Sequence, residues 1–246
     1  MNVYWLEQTE ANVPAENDWL SAEEAACLNA MRFPKRRTDW RLGRWAAKCA
    51  LSAYLNVPAH PQVFRKIEIR PAASGAPEAL FSGQPAANVI SLSHRDGRAI
   101  CALATAGVEI GCDLETVEPR SDAFVADYFT VEEQALIARA STADRDWLLA
   151  LLWSAKESAL KALRAGLRLD TRCVITTPIA GSFDRNGWSP LRVCYTGDRY
   201  ACDQVFHGWW QHGDNMVRTV VAAPPPDPPI RLKIAGHFFD TAFRCA

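Results

Sequence analysis

Asp113 and Glu115 stand two residues apart in the segment Gly107-Val-Glu-Ile-Gly-Cys-Asp-Leu-Glu115. The alternation predicts a strand with Val108, Ile110, Cys112 and Leu114 on one face and Glu109, Gly111, Asp113 and Glu115 on the other. Two carboxylates whose origins lie about 6 to 7 Å apart repel unless something positive sits between them. A hard divalent cation such as Mg²⁺ suits that place, since it prefers oxygen ligands and often combines one or two carboxylates with substrate phosphates. Gly111 on the same face leaves room for a ligand. The same pattern also describes a strand face that merely carries solvated acids.

About forty residues further on, Trp153, Glu157 and Lys161 fall at i, i+4 and i+8, one line along a helix predicted from Asp146 to Ala165 and closed by Gly166. Glu157 and Lys161 are either a surface ion pair worth a few tenths of a kcal/mol (~0.3) or a third carboxylate for the ion and a cation for a phosphate. Upstream, Arg32, Lys35, Arg36, Arg37, Arg41, Arg44 and Lys48 are opposed only by Asp39, so this run is a solvated helix face or a hold for a polyanion. Ile90-Ser-Leu-Ser-His94 ends a strand at a turn, where a hydroxyl and an imidazole can donate to phosphate or cap the turn.

These residues need elements to position them. Ser21-Ala-Glu-Glu24 and Thr130-Val-Glu-Glu133 both open apolar-periodic runs with a capping box. Each run precedes a second helix with the same skeleton, Asp39-Trp40 then Trp45-Ala46-Ala47-Lys48 against Asp146-Trp147 then Trp153-Ser154-Ala155-Lys156. Offsets of 109, 107 and 108 residues between the matching features imply a duplicated unit. Strands fit over Val89–His94, Ala99–Thr105 and Val108–Glu115, then around Leu191–Thr196, Val205–Gln211 and Met216–Ala222, with hairpin turns at Asp96-Gly97 and Gly213-Asp214-Asn215. Helices followed by antiparallel strands, twice over, give an α+β class. The expected organisation is an N-terminal lobe over 1–106, a C-terminal lobe with the acidic and helical motifs over 107–223, and a proline-bounded tail over 224–246.

Composition narrows the partners. With 49% hydrophobic residues, 27 basic against 28 acidic side chains and a net charge of −1, the chain has the makings of a folded core and lacks the basic excess of a general nucleic-acid binder. Eight scattered cysteines without a C-x-x-C pair read as reduced thiols. The acidic N-terminus does not read as a secretory signal, and the longest apolar run, Trp147 to Trp153, is too short for a membrane span. A cytoplasmic protein without membrane or nucleic-acid partners is expected.

In this order the motifs resemble the 4′-phosphopantetheinyl transferase superfamily, and within it the two-lobed surfactin-synthetase-activating type. Gly111-Cys-Asp-Leu-Glu115 is similar to its G-[VIC]-D-[IL]-E, and Trp153-Ser-Ala-Lys-Glu-Ser-Ala-Leu-Lys161 to its W-[ST]-x-K-E-[AS]-x-x-K. Leu92-Ser-His94 and Arg37-Thr-Asp-Trp-Arg-Leu-Gly-Arg44 resemble weaker elements, whereas Gly75-Ala76-Pro77 departs from a Gly-Lys-Pro. The resemblance implies two similar lobes in a pseudo-twofold arrangement, each with helices packed on a small antiparallel sheet. It implies transfer of the 4′-phosphopantetheine of coenzyme A, the co-substrate, to a serine of an apo acyl or peptidyl carrier protein, with release of adenosine 3′,5′-bisphosphate. Such carriers serve nonribosomal peptide, polyketide and fatty-acid synthesis. Asp113, Glu115 and Glu157 would bind Mg²⁺, or Mn²⁺ in its place, with Asp113 also facing the pyrophosphate. Glu157 would act as general base and Lys161 would meet the leaving phosphate, while Ser93 and His94 hold coenzyme A phosphates and Arg37 and Arg44 face its 3′-phosphate. A monomer can carry such a site. The alternatives are a non-catalytic paralogue that binds coenzyme A or a carrier protein, and a Mg²⁺-dependent phosphohydrolase.

Overall fold

The computed structural model describes residues 1–179, 187–197 and 203–234, so the expectations placed on Cys202, on Cys245 and on the tail from residue 235 lie outside the described residues. In chain order the elements are β1 (Tyr4–Thr9), α1 (Ala22–Ala30), α2 (Pro34–Leu55), α3 (Pro61–Phe64), β2 (Ile67–Pro71), β3 (Pro77–Phe81), β4 (Gln84–Pro85), β5 (Asn88–Arg95), β6 (Arg98–Thr105), β7 (Glu109–Thr116), α4 (Asp122–Tyr128), α5 (Val131–Arg139), α6 (Thr142–Ala162), β8 (Val174–Pro178), β9 (Ser189–Tyr195), β10 (Gln204–Gly213), β11 (Met216–Ala223) and β12 (Ile230–Arg231). The chain is α+β. It divides into one unit from Tyr4 to Ala106, joined by the stretch from Ile230, and another made of Met1–Val3 with Gly107–Pro229.

In the first unit β12, β1, β6 and β5 form a sheet in that order, and β2, β3 and β4 form a small antiparallel one. Asp96 and Gly97 both have positive φ (46° and 72°), which lets the β5–β6 hairpin turn in two residues. Proline at the first turn of α2 sets its start, and the helix buries Trp45, Ala46, Ala47, Cys49 and Ala50. In the second unit the five strands run in the order β7-β11-β10-β9-β8, every pairing antiparallel. Here α6 packs one stripe (Leu151, Ala155, Ala159) against Phe206, Val217 and Val221, and another (Leu148, Leu149, Leu152) against Val125, Phe129 and Ile137.

Helix α6 starts and stops a few residues earlier than its periodicity predicts. Ser141 caps it by accepting the Asp144 N–H, and it ends where Arg164 takes a positive φ of 54° and the Ala165 N–H returns to the Leu160 carbonyl. The proline run after Ala223 forms neither helix nor strand. It is fastened within its unit, since the Trp209 indole donates to Pro226 O and the N-terminal ammonium of Met1 meets Asp227 at 3.1 Å. Beyond it, Ile230–Arg231 pairs in parallel with Tyr4–Trp5, so the stretch expected as an appendage opens with an edge strand. Cys194 is disulfide-bonded, which corrects the expectation that every thiol is reduced; Cys27, Cys49, Cys101, Cys112 and Cys173 are free.

Both capping boxes form, and each does more than cap. Glu24 accepts the Ser21 N–H, and its other oxygen accepts the Ile69 N–H; Glu133 does the same for Thr130 and Thr176. Lys48 reaches Glu24 and the carbonyls of Trp19 and Phe64, while Lys156 reaches Glu133 at 2.7 Å and the carbonyls of Thr171 and Val174. Each unit therefore holds one fully buried ammonium against a buried carboxylate at equivalent places. Burial pushes both lysines below their ordinary pKa, and the glutamates oppose that. Removing one partner leaves the other charge unpaired in the core. Lys156→Met is accordingly expected to cost about 3 to 5 kcal/mol in urea unfolding.

Candidate active site

Strand β7 carries Asp113 and Glu115 toward α6. Its register with β11 pairs Gly111 with Val221, Asp113 with Thr219 and Glu115 with Val217, and Val217 and Val221 pack against α6. The space over Gly111, expected to admit a ligand, is instead filled by α6: a Cβ at this position would lie 1.8 Å from the Ser158 carbonyl oxygen. The helix thus lies directly on the strand, and its Glu157 and Lys161 come down beside Asp113.

The Lys161 ammonium donates to Asp113 Oδ1 at 2.7 Å and to the Cys112 carbonyl at 3.2 Å, and stands 3.9 Å from Glu157. Burial opposes its charge, but Asp113 and Glu157 outweigh burial and hold its pKa above the ordinary lysine value, so it is cationic at neutral pH. Glu157 is shifted up as well, first by burial and then by the charge of Asp113, with Lys161 partly offsetting both. Glu115 is oriented separately. The Trp153 indole donates to its Oε1 at 3.1 Å and Arg120 lies 3.4 Å from its Oε2. Phe124, Tyr128 and Phe129 pack around that indole with ring centroids 5.1, 5.1 and 6.4 Å away, which fixes its direction.

Among the described residues no group of three or more His, Cys, Asp or Glu side chains is gathered closely enough to hold a metal ion. What Asp113 and Glu157 offer is a pair of mutually repelling oxygen ligands. That donor set fits a hard divalent cation, whose remaining positions are commonly filled by water and substrate phosphates.

The basic segment proves to be of two kinds. Arg37 donates to the carbonyls of Leu28 and Met31 at the end of α1, and Arg41 to those of Pro14 and Ala15, so both guanidinium groups hold loops. Lys35, Arg36 and Arg44 line a pocket of about 620 Å³ together with Trp40, Arg70 and His94. Arg44 stacks on the Trp40 ring at 4.2 Å, and its buried Nε has no hydrogen-bond partner. A guanidinium lining a cationic pocket suits an anion. Leu92 and His94 reach this pocket from β5, while Ser93 between them points to the opposite face of the strand. Arg70 was not singled out from the sequence. It sits on the strand Ile67-Glu-Ile-Arg-Pro71, where alternation with Glu68 was the available signal, and it makes a two-pronged pair with that glutamate.

One unit thus presents carboxylates bridged by an ammonium, and the other a cationic pocket with an aromatic wall. Residues 109–207 match the family model of the 4′-phosphopantetheinyl transferase superfamily. The matched segment contains Asp113, Glu115, Trp153, Glu157 and Lys161. No curated protein matches the chain significantly. Among the described residues no helix is long and apolar enough to cross a membrane.

Proposed function

We propose that the chain is a transferase of the two-lobed type that moves 4′-phosphopantetheine from coenzyme A to the serine of an acyl or peptidyl carrier protein. The observation that carries this reading is the Lys161 ammonium held between Asp113 and Glu157 inside the segment that matches the superfamily. In the proposed reaction the serine oxygen attacks the β-phosphorus of coenzyme A and forms a new P–O bond. The bond from that phosphorus to the bridging oxygen breaks, and adenosine 3′,5′-bisphosphate leaves with the electron pair. The serine proton passes to the Glu157 carboxylate, directly or through water.

Asp113 and Glu157 are the proposed principal ligands of Mg²⁺, with Glu115 as the third carboxylate; when bound, the ion neutralises charge on the phosphate oxygens. Lys161 balances charge on the departing phosphate. In the other unit, Arg44 and His94 are proposed to take phosphates of the nucleotide end, with Lys35 and Arg36 adding positive potential. Arg37, whose Nη1 fixes the end of α1 through the carbonyls of Leu28 and Met31, is proposed to face the 3′-phosphate with its remaining donors. The protein is proposed to act as a cytoplasmic monomer.

The test is to incubate the protein with coenzyme A, Mg²⁺ and a panel of apo carrier proteins and to weigh the products by mass spectrometry. The expected result is one phosphopantetheine on the carrier serine. Coenzyme A binding with no transfer to any carrier, or adenosine 3′,5′-bisphosphate released without a carrier, overturns the reading in favour of a binding paralogue or a hydrolase. Within the reading, Arg44→Ala is expected to raise KM for coenzyme A about tenfold or more while changing KM for 3′-dephospho-coenzyme A much less, because charge-assisted bonds to one phosphate are lost.

A further inference from the structure

Beneath the carboxylates lies a set of hydroxyls that the proposed chemistry does not use. Thr219 Oγ1 on β11 lies 2.8 Å from Ser154 Oγ and 2.7 Å from Ser158 Oγ on α6, and all three residues are fully buried. Thr219 is the register partner of Asp113 across β7 and β11. Ser154 follows Trp153, which orients Glu115, and Ser158 follows Glu157. The hydroxyl bridge therefore ties the strand position beside one carboxylate to the helix positions beside the other two.

Packing alone does not ask for it. The other unit has the same helix in α2, lying on β1 and β6 and anchored by the equivalent buried lysine, yet the positions matching Ser154 and Ser158 are Ala46 and Ala50. Both alanines are fully buried, and Ala46 packs on Ala99. Alanine is also the better helix former, and burying a hydroxyl costs free energy unless it is bonded. The copy that carries Glu157 and Lys161 has the hydroxyls, and the copy that carries Cys49 and Ala53 at those places has none there. A directional bond fixes the helix along and about its axis more narrowly than methyl packing does.

We infer that the Ser154–Thr219–Ser158 bridge is a positioning device that sets Glu157 and Lys161 against Asp113, which rests on the proposed transferase function. Three variants test it: Thr219→Val, Thr219→Ser, and the triple Ser154→Ala/Ser158→Ala/Thr219→Val, whose two helix substitutions copy Ala46 and Ala50 of the other unit. Removing all the hydroxyls together strands no buried donor, so the triple variant is expected to melt within about 5 °C of the parent. Its kcat for transfer is expected to fall about tenfold or more with KM for coenzyme A within about twofold of the parent, as misplacement of reacting groups demands. Mn²⁺ affinity, followed through the resonance signal of the free ion without any carrier, is expected to fall about threefold or more. Thr219→Ser restores both readouts relative to Thr219→Val. A triple variant with parental kcat and Mn²⁺ affinity overturns the inference, as does a Thr219→Ser protein no better than Thr219→Val. Should the triple variant not fold, the Thr219→Ser and Thr219→Val pair decides alone. A parent that transfers nothing overturns the transferase reading, and the Mn²⁺ comparison still decides the positioning role.

Discussion

Glu157→Gln is expected to lower kcat for transfer by about 10²-fold or more, while the melting temperature in the absence of divalent cations stays level or rises. The two readouts diverge because the same environment acts on both. Glutamine keeps the length and shape of the side chain, so packing along α6 is undisturbed, but it accepts no proton from the serine. In the metal-free protein the carboxyl is held above its ordinary pKa by burial and by Asp113. A carboxyl raised in the folded state binds its proton there at a pH where the unfolded chain has already released it. Stability therefore falls as pH climbs from the ordinary glutamate value through the raised one, and the deficit persists at neutral pH. Glutamine carries no charge and escapes it. Thermal scans in chelator from pH 4 to 8 should show the variant gaining on the parent through that window, and a variant that loses stability as pH rises just as the parent does would refute this account.

How much of this was legible in the sequence depends on the range of each interaction. The capping boxes at Ser21 and Thr130 were readable because a hydroxyl and a glutamate three residues on satisfy local donors. That Glu24 and Glu133 each spend their second oxygen on a distant strand, and that Lys48 and Lys156 are fully buried against them, depends on tertiary approach and left only the matching spacing as a trace. Asp113 and Glu115 fall on one face because alternation is local. Whether helix or ligand fills the space over Gly111 is not local, and the helix does. The basic run shows the limit most plainly. Arg37 and Arg44 are alike in composition and neighbourhood, yet Nη1 of one is held by the carbonyls of Leu28 and Met31 while the other stacks on Trp40 and lines a pocket. Nothing in the spacing separates them, since the carbonyls that claim Arg37 belong to the preceding helix end. Thr219 lies outside every motif, and it matters only through the strand pairing that sets it beside Asp113.

Gly111→Ala is expected to disable the protein as severely as loss of Glu157, and for a reason of space alone. A Cβ at Gly111 would stand 1.8 Å from the Ser158 carbonyl oxygen, 2.8 Å from its carbon and 2.8 Å from the Ala162 nitrogen. All three are backbone atoms, so no rotamer change relieves the clash. Either β7 or α6 must move. Strand β7 is paired along its length with β11, and α6 is anchored through Lys156 to the carbonyls of Thr171 and Val174 and through Ser154 and Ser158 to Thr219. The segment of α6 that yields most directly is the turn from Ser158 to Ala162, which begins beside Glu157 and includes Lys161. Overpacking of this kind costs about 1 to 3 kcal/mol, so a melting temperature lower by about 5 °C is expected. The effect on rate is larger, since lifting the helix by about 1 Å separates Lys161 and Glu157 from Asp113, and a shift of that size costs about 10²-fold. Gly213→Ala is the matched control, because a Cβ there meets nothing within 4 Å, and it is expected to leave stability within about 0.5 kcal/mol and turnover unchanged. Circular-dichroism melts and single-turnover transfer measured on the two variants decide the matter: parental turnover in Gly111→Ala would mean that the contact between β7 and α6 does not set the spacing of the carboxylates.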